Sequence, residues 1–422
     1  MNKYSKIIIP FLLIMALLLT ASAGVAAKKT NKATKQQAPV STWTIPEYGE
    51  KAYNTMKAAM DAYDPLAETA PGLDATAAIL IDAKSGLVLY DLDADGLRYP
   101  ASMTKLVTVL VTLDAVDQGK VAYTDTVTFS EAATALEGSK TGYLPGTTDT
   151  LEHCLEMIMV FSANDAAYAV AEHIAGSIEA FAELMNAKAA ELGMANSHFV
   201  NPNGLHDDSH WTTARDMATL SRYCVNQPEV MRLASMKSTT MPDGRTVYNT
   251  NKLLFWCEGT DGLKTGTTTA AGHCLTATAE RNGMRLIAVT MGSQKDYTHY
   301  IDAMKLLEYG FANFNVVTAV EKGTPMGDVP VLYGKEDKVP TATADSIAYV
   351  LHNGETAEPE ILVEMNEAVE GPAKAGMKAG EVIVKVNGNE VGRCDLITTE
   401  DISKRGILLW LKDFFSALIA GI

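Results

Sequence analysis

Ser102-Met103-Thr104-Lys105 sets a hydroxyl and an amine one helical turn apart on one face. The stretch continues Leu106-Val107-Thr108-Val109-Leu110-Val111, so a helix here is apolar nearly all round and buried. A lysine in such a helix is costly unless it has a partner or a chemical use. One use fits. A lysine whose pKa is lowered by burial or a nearby cation is neutral when it takes a proton, and it can activate a serine nucleophile. The pair alone decides little, since chance places one Ser-x-x-Lys in roughly every 200–300 positions.

An acyl enzyme of this kind needs two further elements. One is a polar trio bringing a second hydroxyl and an amide to the nucleophile. Ser162-Ala163-Asn164 fits, after the apolar run Met157 to Phe161. The other is Lys-Thr/Ser-Gly on a strand beside the serine, where the lysine holds a carboxylate and the backbone continues into an oxyanion donor. Lys84-Ser85-Gly86, Lys140-Thr141-Gly142 and Lys264-Thr265-Gly266 compete. The first reads as a hairpin turn, the second as a loop before Tyr143-Leu144-Pro145-Gly146. Only Lys264-Thr265-Gly266 begins a sheet strand, and it follows Ser102 and Ser162 in the expected order.

The elements that must position these groups read as follows. Glu50 to Tyr63 has a short helical pattern. Ala78 to Asp82 and Leu87 to Tyr90 flank a turn as a hairpin. Leu151 to Ile174 is an apolar run in a mainly helical middle, and Ile178 to Leu192 is an amphipathic helix of good helix formers. Asn201-Pro202-Asn203-Gly204 marks a loop. Strands return at Gly272 to Ala279 and Arg285 to Met291, and a helix over Tyr300 to Tyr309 closes this part. Strand-rich ends around a helical middle predict an α+β domain, one sheet covered by helices. From about Asn315 short alternating runs take over. Val382, Val384 and Val386 share a strand face before an Asn387-Gly388 turn, predicting a small all-β domain.

The chain has 422 residues, 47% apolar and 20% charged, enough for more than one domain and a sizeable core. A net charge of −16 without a basic stripe excludes a nucleic-acid partner. Lys3 and Lys6 precede an apolar run from Ile7 to Leu19, with Ala21-Ser22-Ala23 and Val25-Ala26-Ala27 as two cleavage candidates. This is the layout of a secretory signal peptide, expected over residues 1–27, and it implies export. Five thinly spread cysteines form no Cys-x-x-Cys pair, so nothing points to structural zinc. His206 and His210 are four apart, but they follow the Asn-Pro-Asn-Gly loop and lack a zincin glutamate. No metal or cofactor is expected. The tail from Arg405 to Ile422 gathers Lys412, Asp413 and Ser416 opposite a broad apolar face, with Trp410 suited to a membrane boundary.

At this point the sequence resembles a known family. Ser102-Met103-Thr104-Lys105, Ser162-Ala163-Asn164-Asp165-Ala166-Ala167 and Asp261-Gly262-Leu263-Lys264-Thr265-Gly266 look like the three motifs of D-alanyl-D-alanine carboxypeptidases, the low-molecular-mass penicillin-binding proteins. Phe199 to Leu205, Ala270 to Leu275 and Leu306 to Phe311 agree as well. The resemblance runs from about residue 70 to the C-terminus. It implies a penicillin-binding/β-lactamase-like α+β domain over 70–314, a small β domain over 315–400 and an amphipathic anchor helix over 401–422, after a linker and extension over 28–69. It implies a peptidoglycan stem peptide ending in D-Ala-D-Ala as substrate, acylation by β-lactam antibiotics, and residence on the outer face of the cytoplasmic membrane through the C-terminal helix. Ser102 is then the nucleophile, Lys105 its base and Ser162 the proton donor to the leaving amine. Asn164, Lys264, Thr265, Gly266 and Thr267 bind substrate. Two positions depart from the family's pattern: Thr267 stands where many relatives carry tyrosine or histidine, and His299 where many carry a carboxylate-binding arginine. The rival readings are a β-lactamase, which needs a carboxylate for deacylation, and a non-catalytic wall-binding protein, which would not need every motif side chain.

Overall fold

The computed structural model describes residues 50–66, 70–241 and 243–406. The expected signal segment and the tail from residue 407 lie outside them. The chain divides into two compact units between Asn315 and Val316.

The first unit is built on a five-stranded sheet in the order Val88–Leu92, Ala77–Asp82, Met284–Ser293, Gly272–Arg281, Thr260–Thr268. Every pairing is antiparallel. The Ala77–Asp82 strand, AAILID, is buried along its whole length, because helices cover both faces of the sheet. On one face lies the Thr298–Asn313 helix. It approaches so closely at Gly310 that an added Cβ would stand 2.5 Å from Leu286 Cδ1 and 2.9 Å from Leu80 Cδ2. On the other face Ile79, Ile81, Ile287 and Val289 merge with Leu106, Leu110, Val170 and Met217 into the main core. Ser221 of the Ala214–Cys224 helix and Thr276 of the sheet share a hydrogen bond of 2.7 Å across that interface.

The hairpin turn is as expected. Asp82 accepts from the backbone N–H and hydroxyl of Ser85 at 2.7 and 2.6 Å, and Gly86 takes a φ of +77°. The helical pattern at Glu50 to Tyr63 is a helix over Glu50–Asp61 packed on the fold: Met56 is buried, Tyr53 meets Trp256 edge-on, and Asn313 Nδ2 donates to Pro65 O at 2.6 Å. The apolar run from Leu151, by contrast, is three pieces. An α-helix over Leu151–Glu156 widens into a π-turn over Met157–Phe161, stops at Ser162, and a new helix runs over Asn164–Ala175.

The second unit is all β. Its six-stranded sheet runs Glu360–Met365, Lys378–Val386, Asn389–Thr398, Lys338–Thr343, Pro325–Leu332, Val369–Glu370, and Phe314–Val320 pairs with Ile347–His352. Val382 and Val384 enter its core. Asn387 and Gly388 both take positive φ, 52° and 81°, and join two strands in a tight hairpin. The expected helix from residue 401 cannot start there. Ile402 is buried in this core and bridges Ala373, and Lys404 bridges Gly334, so residues through 404 belong to the β unit. Among the described residues no helix is long and apolar enough to cross a membrane, and the five cysteines are all free thiols.

Candidate active site

Ser102 sits in a 3-10 turn, Ala101–Thr104, that feeds the Lys105–Asp117 helix. Two glycines let other backbone segments close on this turn. A Cβ at Gly204, where φ is +80°, would lie 1.9 Å from Ala101 O. A Cβ at Gly266 would lie 2.7 Å from Pro100 O and 2.9 Å from Ser102 N. The Asn-Pro-Asn-Gly loop is thus pressed against one side of the nucleophile and the Thr260–Thr268 strand against the other.

Lys105 is 0% exposed. Its Nζ lies 2.9 Å from Ser102 Oγ, 2.7 Å from Asn164 Oδ1 and 2.6 Å from Asn203 O. Burial first, then the nearby Lys264 charge, holds its pKa well below the ordinary lysine value, against a weaker opposing pull from Asp165. Its place in the first turn of a helix, where the dipole is positive, acts in the same sense. The loop behind Asn203 is fixed by its own side chains. Asn201 Oδ1 accepts from Gly204 N at 2.7 Å, Asn203 Oδ1 accepts from Leu205 N at 2.9 Å, and Thr108 Oγ1 donates to Pro202 O at 2.6 Å. The sequence marks this stretch only as a loop. That it aims a carbonyl at Lys105 is information carried by the fold.

The helix break places the second motif. Ser162 takes φ +65°, a left-handed conformation costly for a serine, and turns the chain so that Asn164 starts a new helix toward Lys105. The Asn164 amide is oriented by Nδ2 donating to Glu137 O at 2.6 Å, which leaves Oδ1 facing the lysine. The Lys140-Thr141-Gly142 candidate is brought close for another reason. Asp165 accepts from the Thr141 N–H and hydroxyl at 2.9 and 2.7 Å and pins that loop beside Ser162.

Lys264, Thr265, Gly266 and Thr267 follow one another along the edge strand. Lys264 is 1% exposed, and burial lowers its pKa to about 7. Thr265 Oγ1 bonds Thr250 Oγ1 at 2.7 Å, and Thr267 Oγ1 lies 3.2 Å from His273 Nδ1 on the paired strand. Ser102, Ser162, Thr265, Gly266 and Thr267 line one open cleft of about 400 Å³, with Lys105, Asn164 and Lys264 buried around it. Thr250 was not singled out by any motif, and only its contact with Thr265 shows its place.

His299 also lines the cleft, stacked on His273 with ring centres 5.0 Å apart. Burial and the neighbouring imidazole lower its pKa to about 3. The residue expected in the arginine's place is therefore neutral at pH 7. His210 is buried and serves the nucleophile's turn. Its Nδ1 accepts from Val200 N at 3.2 Å, which leaves Nε2 to donate to Thr104 Oγ1 at 2.8 Å. Burial drops its pKa to about 4, keeping it in this neutral form.

A serine, a buried lysine, a Ser-x-Asn turn and a Lys-Thr-Gly edge strand on this sheet define a serine hydrolase of the penicillin-binding type. Residues 64–295 match the D-alanyl-D-alanine carboxypeptidase family, and residues 314–404 match the C-terminal domain of penicillin-binding protein 5. The chain belongs to the D-alanyl-D-alanine carboxypeptidase family. It is 31% identical over 344 residues to D-alanyl-D-alanine carboxypeptidase DacF of Bacillus subtilis, covering 80% of this chain and 88% of that one. Its fold is similar to penicillin binding protein 5 from Haemophilus influenzae, with TM-score 0.65 and 32% identity over 80% of this chain and 99% of that one. It is also similar to penicillin-binding protein D2 from Listeria monocytogenes in an ampicillin-bound form, with TM-score 0.51 and 32% identity over 57% of this chain and all of that one.

Proposed function

We propose that this enzyme removes the terminal D-alanine from peptidoglycan stem peptides ending in D-Ala-D-Ala, through an acyl-enzyme on Ser102. The observation that carries the reading is the set of partners around Lys105 Nζ. Asn164 Oδ1 and Asn203 O can only accept hydrogen bonds. A neutral amine spends its two N–H groups on them, and its lone pair is left facing Ser102 Oγ. The geometry thus suits a general base, and the lowered pKa supplies the protonation state.

Lys105 takes the Ser102 proton as Oγ attacks the carbonyl between the two D-alanines. Backbone N–H groups of Ser102 and Thr267 hold the oxyanion, with Gly266 allowing the two segments to approach. Ser162 passes its proton to the leaving amine and is resupplied by the Lys105 ammonium, which returns to the neutral amine as D-alanine departs. Lys264 and Thr265 hold the terminal carboxylate, while Asn164 positions the peptide and orients Lys105. Lys105 then deprotonates the water that hydrolyses the ester. A β-lactam acylates the same serine. The acid lining the cleft is Asp296, 78% exposed and 3.7 Å from His273, which is unlike the sheltered carboxylate a β-lactamase needs. Residues 1–27 direct export, and the apolar face beyond Gly406 rests on the outer face of the cytoplasmic membrane.

The test is labelled penicillin together with release of D-alanine from a blocked tripeptide. The wild type should show both, with a long-lived adduct, and Ser102→Ala neither. Rapid hydrolysis of the penicillin would indicate a β-lactamase, and a stable adduct on Ser102→Ala would refute the nucleophile.

A further inference from the structure

The β unit ends where the chain leaves for its apolar tail, and an apolar tip stands at that exit. Leu332 is 47% and Tyr333 67% exposed, two large apolar side chains in succession. In the Pro325–Leu332 strand Val329 and Val331 enter the core, so the alternation turns Leu332 outward, where a polar residue is the usual choice. Tyr333 follows at φ +63°, a left-handed conformation costly for a bulky side chain. Pro372, from a second segment, is exposed as well.

Ile402 holds this tip from within. A Cβ at Gly334 would lie 2.6 Å from Ile402 Cγ2, and one at Gly371 would press on the same atom, so three segments close on one buried side chain. Backbone bonds fasten them together. Gly371 N donates to Leu332 O at 2.8 Å, Lys335 N to Ser403 O at 3.0 Å, and Ile402 N to Ala373 O at 2.8 Å. The Glu336 carboxylate accepts from Ser403 N at 2.8 Å. Strain at Tyr333 is thus kept by its surroundings, and it presents apolar surface that the unit's own core does not use. The next residues settle what that surface faces. Gly334 bridges Lys404, and Ile407, where the tail's apolar face begins, is three residues on. Three residues span at most about 11 Å, so a surface that receives Ile407 is within reach of this tip. Residues 332–337, 370–374 and 401–405 carry four cations and four carboxylates, so the attraction available here is apolar and not one of net charge.

We infer that Leu332, Tyr333 and Pro372 form a second membrane contact, an apolar tip that enters the lipid surface beside the tail. This rests on the proposed anchoring by the tail and extends it to residues of the folded β unit. A tyrosine suits that depth, its ring among acyl chains and its hydroxyl at the headgroups. Three side chains are too few to hold the protein by themselves. They add to the binding of the tail and direct this end of the β unit toward the bilayer.

The experiment uses residues 28–422 with vesicles of phosphatidylglycerol and phosphatidylethanolamine, and phosphatidylcholine vesicles in parallel. Leu332→Gln combined with Tyr333→Asn, an asparagine that tolerates the left-handed backbone, should weaken vesicle binding roughly 10-fold. The factor should be the same on both lipid compositions, with melting and penicillin acylation as in wild type. Tyr333→Trp, a milder change, should add an emission beyond that of the four native tryptophans, and this emission should shift to the blue when vesicles are added. Unchanged affinity in the double variant and an unshifted emission would overturn the inference and leave the tail as the whole anchor. An emission already blue without lipid, moving to the red on truncation after Gly406, would overturn it by showing that the tail covers the tip. Loss of binding to isolated cell-wall sacculi in place of vesicles would overturn it in favour of the wall polymer. A wild type that binds no vesicle would overturn the anchoring reading itself, and this inference with it.

Discussion

Gly266→Ala tests whether the edge strand and the nucleophile's turn must touch. The φ of Gly266 is not in the left-handed region, so alanine suits the backbone there. The difficulty is space. The new Cβ would sit 2.7 Å from Pro100 O, 2.9 Å from Ser102 N and 3.0 Å from Met103 N, where ordinary contact begins at 3.4 Å. All three atoms are backbone, so no side chain can swing aside. Restoring contact at Pro100 O moves the strand away by about 0.7 Å, the difference between 3.4 and 2.7 Å. That shift separates the two N–H groups that would hold the oxyanion. Misplacement of about 1 Å costs on the order of 10²-fold in rate, so the expected loss is roughly 10–100-fold. The assay is the second-order rate of acylation by labelled penicillin, read beside thermal melting. Gly72→Ala, where nothing lies within 4 Å of the added carbon, is the control and should acylate like wild type. A Gly266→Ala protein that melts normally and acylates at the wild-type rate would refute the close-approach argument.

Lys264→Ala should lose roughly 2–4 kcal/mol of transition-state binding, whereas Lys140→Ala and Lys84→Ala should change kcat/KM little; a comparable loss at Lys140 would point to the wrong lysine. With a folded pKa of about 7, Lys264 loses its charge as pH rises, so the ratio of kcat/KM on a D-Ala-D-Ala acid to that on its amide should fall through that region. The ratio cancels the titration of Lys105, and a ratio constant from pH 6 to 9 would contradict the assignment. Lys264→Met should melt several degrees higher than wild type at pH 7 while acylating poorly, and a lower melting temperature would show that the charge is not held at a cost. A protein truncated after Gly406 and expressed with its N-terminal segment should leave the membrane fraction yet keep its activity on a small peptide; persistence in that fraction would move the anchor elsewhere.

The residues we propose for the reaction stand out in the sequence because their types are improbable in their surroundings. A lysine amid Leu-Val-Thr-Val-Leu-Val, and a Lys-Thr-Gly whose lysine is buried, in the middle of the Thr260–Thr268 strand where the sequence suggested a strand start, conflict with burial unless chemistry explains them. What was not legible lies in backbone. The apolar run from Leu151 to Ile174 has no proline or glycine to mark the break at Ser162, so periodicity cannot show the left-handed serine that starts a second helix. Asn203 acts through its carbonyl, an atom every residue has. Thr250 is turned to the cleft by the burial of Asn249 and Asn251 on either side of it, which needs the partners at Met236 and Gly262 to be known. The helix at Glu50–Asp61 was legible, but its packing was not: Tyr53 and Met56 find their places only once Trp256 and the Thr298–Asn313 helix are in position.

Two buried lysines within one site set stability against chemistry. For each, the folded pKa lies below the unfolded one, by burial in both cases and by mutual repulsion for Lys105. The unfolded chain then binds more protons than the folded one between the two pKa values, so stability rises with pH across that window. For Lys264 the window opens near pH 7 and closes near the ordinary lysine value of 10.5. At neutral pH the fold therefore forgoes a few kcal/mol that an apolar side chain would keep. Lys105 recovers part of its cost through Asn164 and Asn203, but the bond available to Lys264 is a single 3.2 Å contact with Thr265 O. A carboxylate arriving above Thr265 changes that balance: it favours the charged lysine and raises its pKa, so binding energy from the substrate offsets a cost the free enzyme carries. Transfer of a proton to Lys105 is then disfavoured by the neighbouring cation, which makes the ammonium a better acid for the leaving amine. In the proposed mechanism the same pair of lysines thus weakens Lys105 as a base at the attack step and strengthens its ammonium as an acid once the bond has broken.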